Sequence, residues 1–162
     1  MNDVKKIMVA LAFGKHSENV FKYASKMTTT LNAELIVASI INSRDVDAVS
    51  RIVAMGYQAD GEHYVEAIKK ERMALIEQYA AEAGYPLERI KSIIKVGHPA
   101  EKLLNIIVKE AVDLVIVGIR GKSELEHVLV GSVANKIFRR SPATVISFRD
   151  EEDAKRLRKH LS

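Results

Sequence analysis

The chain has 162 residues, 48% of them hydrophobic, with 25 basic against 21 acidic side chains, a formal charge of +4 and no cysteine. This length predicts one domain able to build a core without disulfide or metal, and the absence of thiols excludes thiolate zinc, iron–sulfur and cysteine-nucleophile chemistry. Acids and bases are interspersed, aromatics make up only 6%, no apolar run approaches the roughly 20 residues of a membrane helix, and Met1–Lys6 has no signal-peptide core. A cytoplasmic protein without nucleic-acid or membrane partners is therefore expected.

Ile7–Leu11 is apolar throughout, as a strand covered on both faces must be. Ala12–His16 turns the chain, and Ser17 is a candidate cap for a helix whose apolar positions Val20, Phe21, Ala24, Met27 and Leu31 recur at helical spacing. Glu34–Ile41 reads as a β-branched second strand, reached through a joint short enough for a β-α-β unit. The pattern weakens between Asn42 and Gly61, with a short helix over Val46–Met55 ended by Gly56. From Glu62 to Ala83 a long amphipathic helix should face Val65, Ile68, Leu75, Ile76 and Tyr79 inward and its charges outward, until Gly84-Tyr85-Pro86 stops it.

Ile90–Val96 predicts a shorter, more polar third strand suited to a sheet edge. Pro99 opens a helix with an apolar stripe at Ala100, Leu103, Leu104, Ile107 and Ala111. Leu114–Val117 is the fourth strand, Ser132–Arg139 a helix broken by Ser141-Pro142, and Ala143–Phe148 the fifth strand. These elements make a domain over 1–149. The remainder, Asp150–Leu161, runs from acids to bases in the order a helix dipole favours, but with only Ala154, Leu157 and Leu161 apolar it predicts a charged surface helix or frayed tail. The alternation argues an α/β fold with a doubly wound five-stranded parallel sheet and helices on both faces, whose ligands collect where the strand order reverses.

One stretch carries chemistry. The buried-strand run ending at Val117 empties into a loop with glycines at 118 and 121, and Gly131-Ser132 then opens a helix. Glycines let main chain approach a ligand, and the unpaired amides of a helix start favour an anion such as phosphate. The spacing Gly118-x2-Gly121-x9-Gly131-Ser132 closely resembles the nucleotide-binding signature of the universal stress protein family, and the resemblance extends from Lys6 to about Arg149.

The resemblance implies the strand order 3-2-1-4-5, so that the loops after strands one and four face each other across one crevice. It implies ATP there, with Mg²⁺ or Mn²⁺ held chiefly by phosphate oxygens. The implied site residues are Ala10, Leu11 and Ala12 at the end of the first strand and just beyond it, Ile40 at the end of the second, Val117, Gly118 and Gly121 along ribose and phosphates, and Gly131, Ser132 and Val133 at the phosphates. Arg120 and Lys122 are expected either to offset phosphate charge or, as surface-loop residues, simply to be solvated. It also implies a homodimer in which the last strand, Thr144 to Phe148, meets its copy antiparallel.

One position departs from the pattern. ATP-binding members usually carry an aspartate after the first strand that meets the adenine, and here Ala12 puts a methyl group in its place. Losing that acceptor costs about 0.5–1.5 kcal/mol, or roughly tenfold in affinity. The expected function is an adenine-nucleotide-binding stress-response regulator that is not an enzyme, and the alternative is a dimeric interaction protein of the same fold that has lost nucleotide.

Two look-alikes fail. Gly121-Lys122-Ser123 ends like a Walker A loop, but Ile116 stands where that motif needs its first glycine, and no Gly-x-Gly-x-x-Gly follows the first strand. The five histidines show no i, i+4 metal pairing, and His16 and His98 are expected to be water-exposed turn residues. No serine or lysine stands beside an evident base, so no catalytic or metal-ligating residue is assigned.

Overall fold

Five parallel strands lie side by side in the order β3-β2-β1-β4-β5 in the computed structural model, which describes residues 3–56, 61–119 and 131–162. In chain order the elements are β1 (Lys6–Ala10), α1 (Ser17–Leu31), β2 (Glu34–Asn42), α2 (Ser43–Ala54), α3 (Gly61–Ala83), β3 (Ile90–Gly97), α4 (Pro99–Lys109), β4 (Leu114–Gly118), α5 (Ser132–Arg140), β5 (Thr144–Phe148) and α6 (Glu151–Leu161). The expected fold class and strand order are both observed. β3 is an edge strand as expected, but with eight residues it is longer than β1.

Alternation along the strands divides the core between the two faces of the sheet. Ile7, Val9, Leu35, Val37 and Ile116 face Val20, Phe21 and Ala24 of α1 and Ile76, Tyr79 and Ala80 of α3. Met8, Ile36, Ala38, Val115 and Val117 face Leu103, Ile106 and Ile107 of α4 and Ile137 of α5. Each of the larger side chains contributes about 1.5–3 kcal/mol by leaving water, so the three inner strands β2, β1 and β4 are the most firmly held part of the sheet.

Local chemistry sets several boundaries differently from the periodicity. α2 begins at Ser43 because the Asn42 side chain accepts from the Arg44 amide at 3.0 Å and caps it. Ser17 does not cap α1; it is the first helical residue and is buried, with His16 in the cap position. Leu31, expected on the apolar face, is 44% exposed, since Asn32 leaves the helix with φ +52 directly after it. Ala111 likewise lies beyond α4, at φ +53. The C-terminal segment is a helix whose first turn is docked rather than frayed, with Asp150 and Asp153 both buried.

β1 is pinned to β4 at its start by one side chain. Asp113 accepts the amides of Lys5 and Lys6 on a single carboxylate oxygen, each at 2.9 Å, immediately before Ile7 pairs with Leu114. Those two amides hold its carboxyl below the ordinary value of 3.8. A depressed folded pKa stabilises the fold fully above the unfolded value and is lost as pH falls through the folded one. Asp113→Asn should therefore destabilise the protein at neutral pH and flatten the decline in stability as the pH falls below about 4. Urea titrations at several pH values check this, and parallel pH profiles for the two proteins would contradict it.

Candidate functional site

The winding direction reverses between β1 and β4, and their carboxyl ends open there into a cavity of about 520 Å³. Ala10, Leu11 and Ala12 wall it on one side, with Ala38, Ile40 and Asn42 beside them at the end of β2. Val117, Gly118, Gly131, Ser132 and Val133 wall it on the other. These expected site residues thus surround one space, while Arg120, Gly121 and Lys122 lie outside the described residues. The volume is within the range typical of small-molecule sites.

Main-chain bonds fix the shape of this cavity. The Leu11 amide donates to the Ala38 carbonyl at 3.0 Å, carrying the β1 exit along β2. The Gly131 amide donates to the Ile119 carbonyl at 2.6 Å, which brings the start of α5 back beside the end of β4. Gly131 is buried and extended at φ −64, ψ 152, so it caps α5 without any side chain of its own. The first turn of a helix has amides with no intrahelical partner, and here that turn, through Val133 and Ala134, forms part of the wall.

At the β1–β2 end the wall includes a residue that the sequence reading turned outward. Arg72 of α3 is half-buried, and its Nη1 donates to the Oγ of buried Ser39 at 2.8 Å. Its guanidinium carbon lies 5.6 Å from the centre of the Phe13 ring. Phe13 in turn stacks on Tyr79, with centroids 6.2 Å apart and planes 15° from parallel. Burial pushes the Arg72 pKa down, opposed by the nearby Tyr64, Glu71 and Asp45. The group nevertheless stays a cation, as arginine does in proteins generally.

The remaining wall comes from the β1–α1 turn and α6. Asp150 caps α6 by accepting from the Asp153 amide at 2.9 Å, and its other oxygen pairs with His16 Nδ1. Lys15 pairs with Glu152 at 3.0 Å, and Asp153 with Arg156 at 3.2 Å. Burial alone would push the Asp150 carboxyl up, but the Asp153 amide and His16 outweigh it and hold it below its ordinary value. His16 is thus not the water-exposed turn residue expected, for its side chain is only 22% exposed, whereas His98 is exposed.

Ligand atoms of His16, Asp150 and Asp153 all lie within 4.8 Å of one another, a donor set of the kind divalent transition metals use, although Asp150 and Asp153 are already engaged within the protein. Nothing local in the chain marks this corner, since 134 positions separate His16 from Asp150.

The universal stress protein family model matches residues 3–149. The universal stress protein MJ0577 of Methanocaldococcus jannaschii is 28% identical over 88% of this chain and 93% of its own length. YxiE, a universal stress protein of Bacillus subtilis, is 27% identical over 89% of this chain and 98% of its own. Among solved structures, MJ0577 superposes with a TM-score of 0.74 at 25% identity, covering 93% of this chain and 99% of that one. A universal stress protein solved in complex with cAMP superposes with a TM-score of 0.63 at 23% identity, covering 91% and 98%.

Helix α6 lies beyond the residues the family model matches, yet its cap and its buried Asp153 line the same cavity. Asp150→Ala removes the cap bond and the His16 partner together. It should lower stability by about 1–2 kcal/mol in urea unfolding, and a change below about 0.3 kcal/mol would show that α6 is not held at its first turn.

Proposed function

The chain belongs to the universal stress protein family, and from that membership we propose that it is a stress-response regulator which binds a purine nucleotide, ATP being the first to test, and is not a catalyst. The observation that carries this reading is the placement of Gly131–Val133, at the start of α5, across the cavity from Ala10–Ala12 and Ile40. The amides of a helix start suit phosphate oxygens, and the backbone near Ile40 offers hydrogen bonds to a base without depending on residue type. Mg²⁺ or Mn²⁺ would arrive with the phosphates and be held mainly by them. A universal stress protein of the same fold, solved in complex with cAMP, supports a nucleotide as the class of ligand.

A second reading has its own support. Ala12 offers no acceptor to an adenine amino group, and the carboxylates of Asp150 and Asp153, although paired with His16 and Arg156, add negative charge to a wall a polyphosphate would face. On that reading the protein acts through its dimer surface. β5 is a sheet edge with half-buried Val145, Ile146 and Phe148, and we assign the homodimer contact to it on either reading.

Isothermal titration and thermal melting with ATP and Mg²⁺ separate the two. Ligand at 100 times its Kd should add about 2.7 kcal/mol to stability. Gly131→Val should abolish both responses by filling the phosphate end, and Ala12→Asp should tighten ATP by about tenfold by restoring an acceptor. Absence of heat and of a melting shift with both ATP and GTP at millimolar concentration, or a Gly131→Val protein that titrates like the parent, would overturn the nucleotide reading.

A further inference from the structure

Arg72 is placed in a way that simple solvation does not explain. An arginine on the polar face of a helix ordinarily extends its head into water, yet this one is turned toward the sheet and clamped. Ser39, 1% exposed, holds Nη1, and Phe13 lies beneath the guanidinium. Phe13 has φ +57, a left-handed conformation that is strained for a non-glycine residue. That strain is retained where the ring joins the Arg72–Phe13–Tyr79 stack.

The clamp uses only part of the group. Guanidinium carries five N–H donors, and among the described residues one hydrogen bond, to Ser39, is the whole of what Arg72 gives. Arg72 also lines the cavity, and both its anchors adjoin the base end of the site: Phe13 follows Ala12, and Ser39 precedes Ile40. A fixed fork of donors is thus held at the place where a base would lie, and the residue that would accept from an amino group is a methyl.

We propose that Arg72 reads the base, and that with Ala12 it tunes the cavity to a 6-oxopurine nucleotide, guanine or hypoxanthine, over an adenine nucleotide. This rests on the nucleotide reading above and names its ligand class. Guanine presents two adjacent acceptors, O6 and N7, which an arginine fork satisfies together, whereas adenine places an amino donor beside N7 and leaves one guanidinium donor facing another donor. Asp45, also on the cavity wall, is an acceptor available to the N1 and N2 donors of guanine.

The test titrates the full chain with GTP and with ATP at equal Mg²⁺, by calorimetry, in the parent protein, Arg72→Met and Arg72→Lys. The parent should bind GTP at least about tenfold tighter than ATP. Arg72→Met keeps the apolar stem and removes the donors; it should weaken GTP about tenfold, leave ATP within about twofold, and so erase the preference. Arg72→Lys, which keeps charge without the fork, should erase it too.

ATP binding as tightly as GTP in the parent overturns the proposal without any variant and leaves the nucleotide reading standing. Equal weakening of both nucleotides in Arg72→Met also overturns it, since it would mark a phosphate contact instead. If neither nucleotide binds the parent at millimolar concentration, the nucleotide reading itself fails and this inference with it.

Discussion

The reversal of winding between β1 and β4 is the constraint on which everything else depends. Right-handed crossovers carry the chain one way from β1 to β2 and β3 and the other way to β4 and β5, so the loops leaving β1 and β4 diverge to opposite faces. The space between them is not a packing defect, because the strands beneath are held by a core on both sides and by the Asp113 bridge at their other end. A cavity at this position follows from topology alone. Its lining is what distinguishes one protein of the fold from another.

That lining has two unlike ends. At the α5 end the chemistry is main-chain, so it depends on Gly131 and the first helical turn more than on particular side chains. At the β1–β2 end it is side-chain chemistry, where Ala12 offers no acceptor and Arg72 is held on the wall by Ser39. The third wall, His16 with Asp150 and Asp153, couples the C-terminal helix to the same space, so α6 belongs to the site's architecture although it falls outside the family match.

The fold was legible because its determinants are local and periodic. Apolar runs such as Ile7–Leu11 and Leu114–Val117 can hardly be anything but strands buried on both faces, and the stripe Ala100, Leu103, Ile107 specifies the side on which α4 packs. The Gly131-Ser132 helix start was legible through its motif. Arg72 was not, because an amphipathic reading sends every charge outward and cannot register a cation turned into a cavity by a serine from another element. The pairing of His16 with Asp150 was hidden by sequence distance, and the docking of α6 by its sparse apolar face, since buried carboxylates rather than hydrophobes anchor its first turn.

A nucleotide in this cavity would lie with its phosphates at the start of α5 and its base toward Phe13 and Arg72. Amide chemical-shift mapping by NMR on the full chain, titrated with GTP and Mg²⁺, tests this without any substitution. The account predicts the largest shifts at Gly131, Ser132 and Val133 and a second group at Ala12, Phe13 and Ile40, joined by a shift of the Arg72 side-chain Nε–H. Shifts confined to other surfaces, or none at millimolar nucleotide, would contradict it.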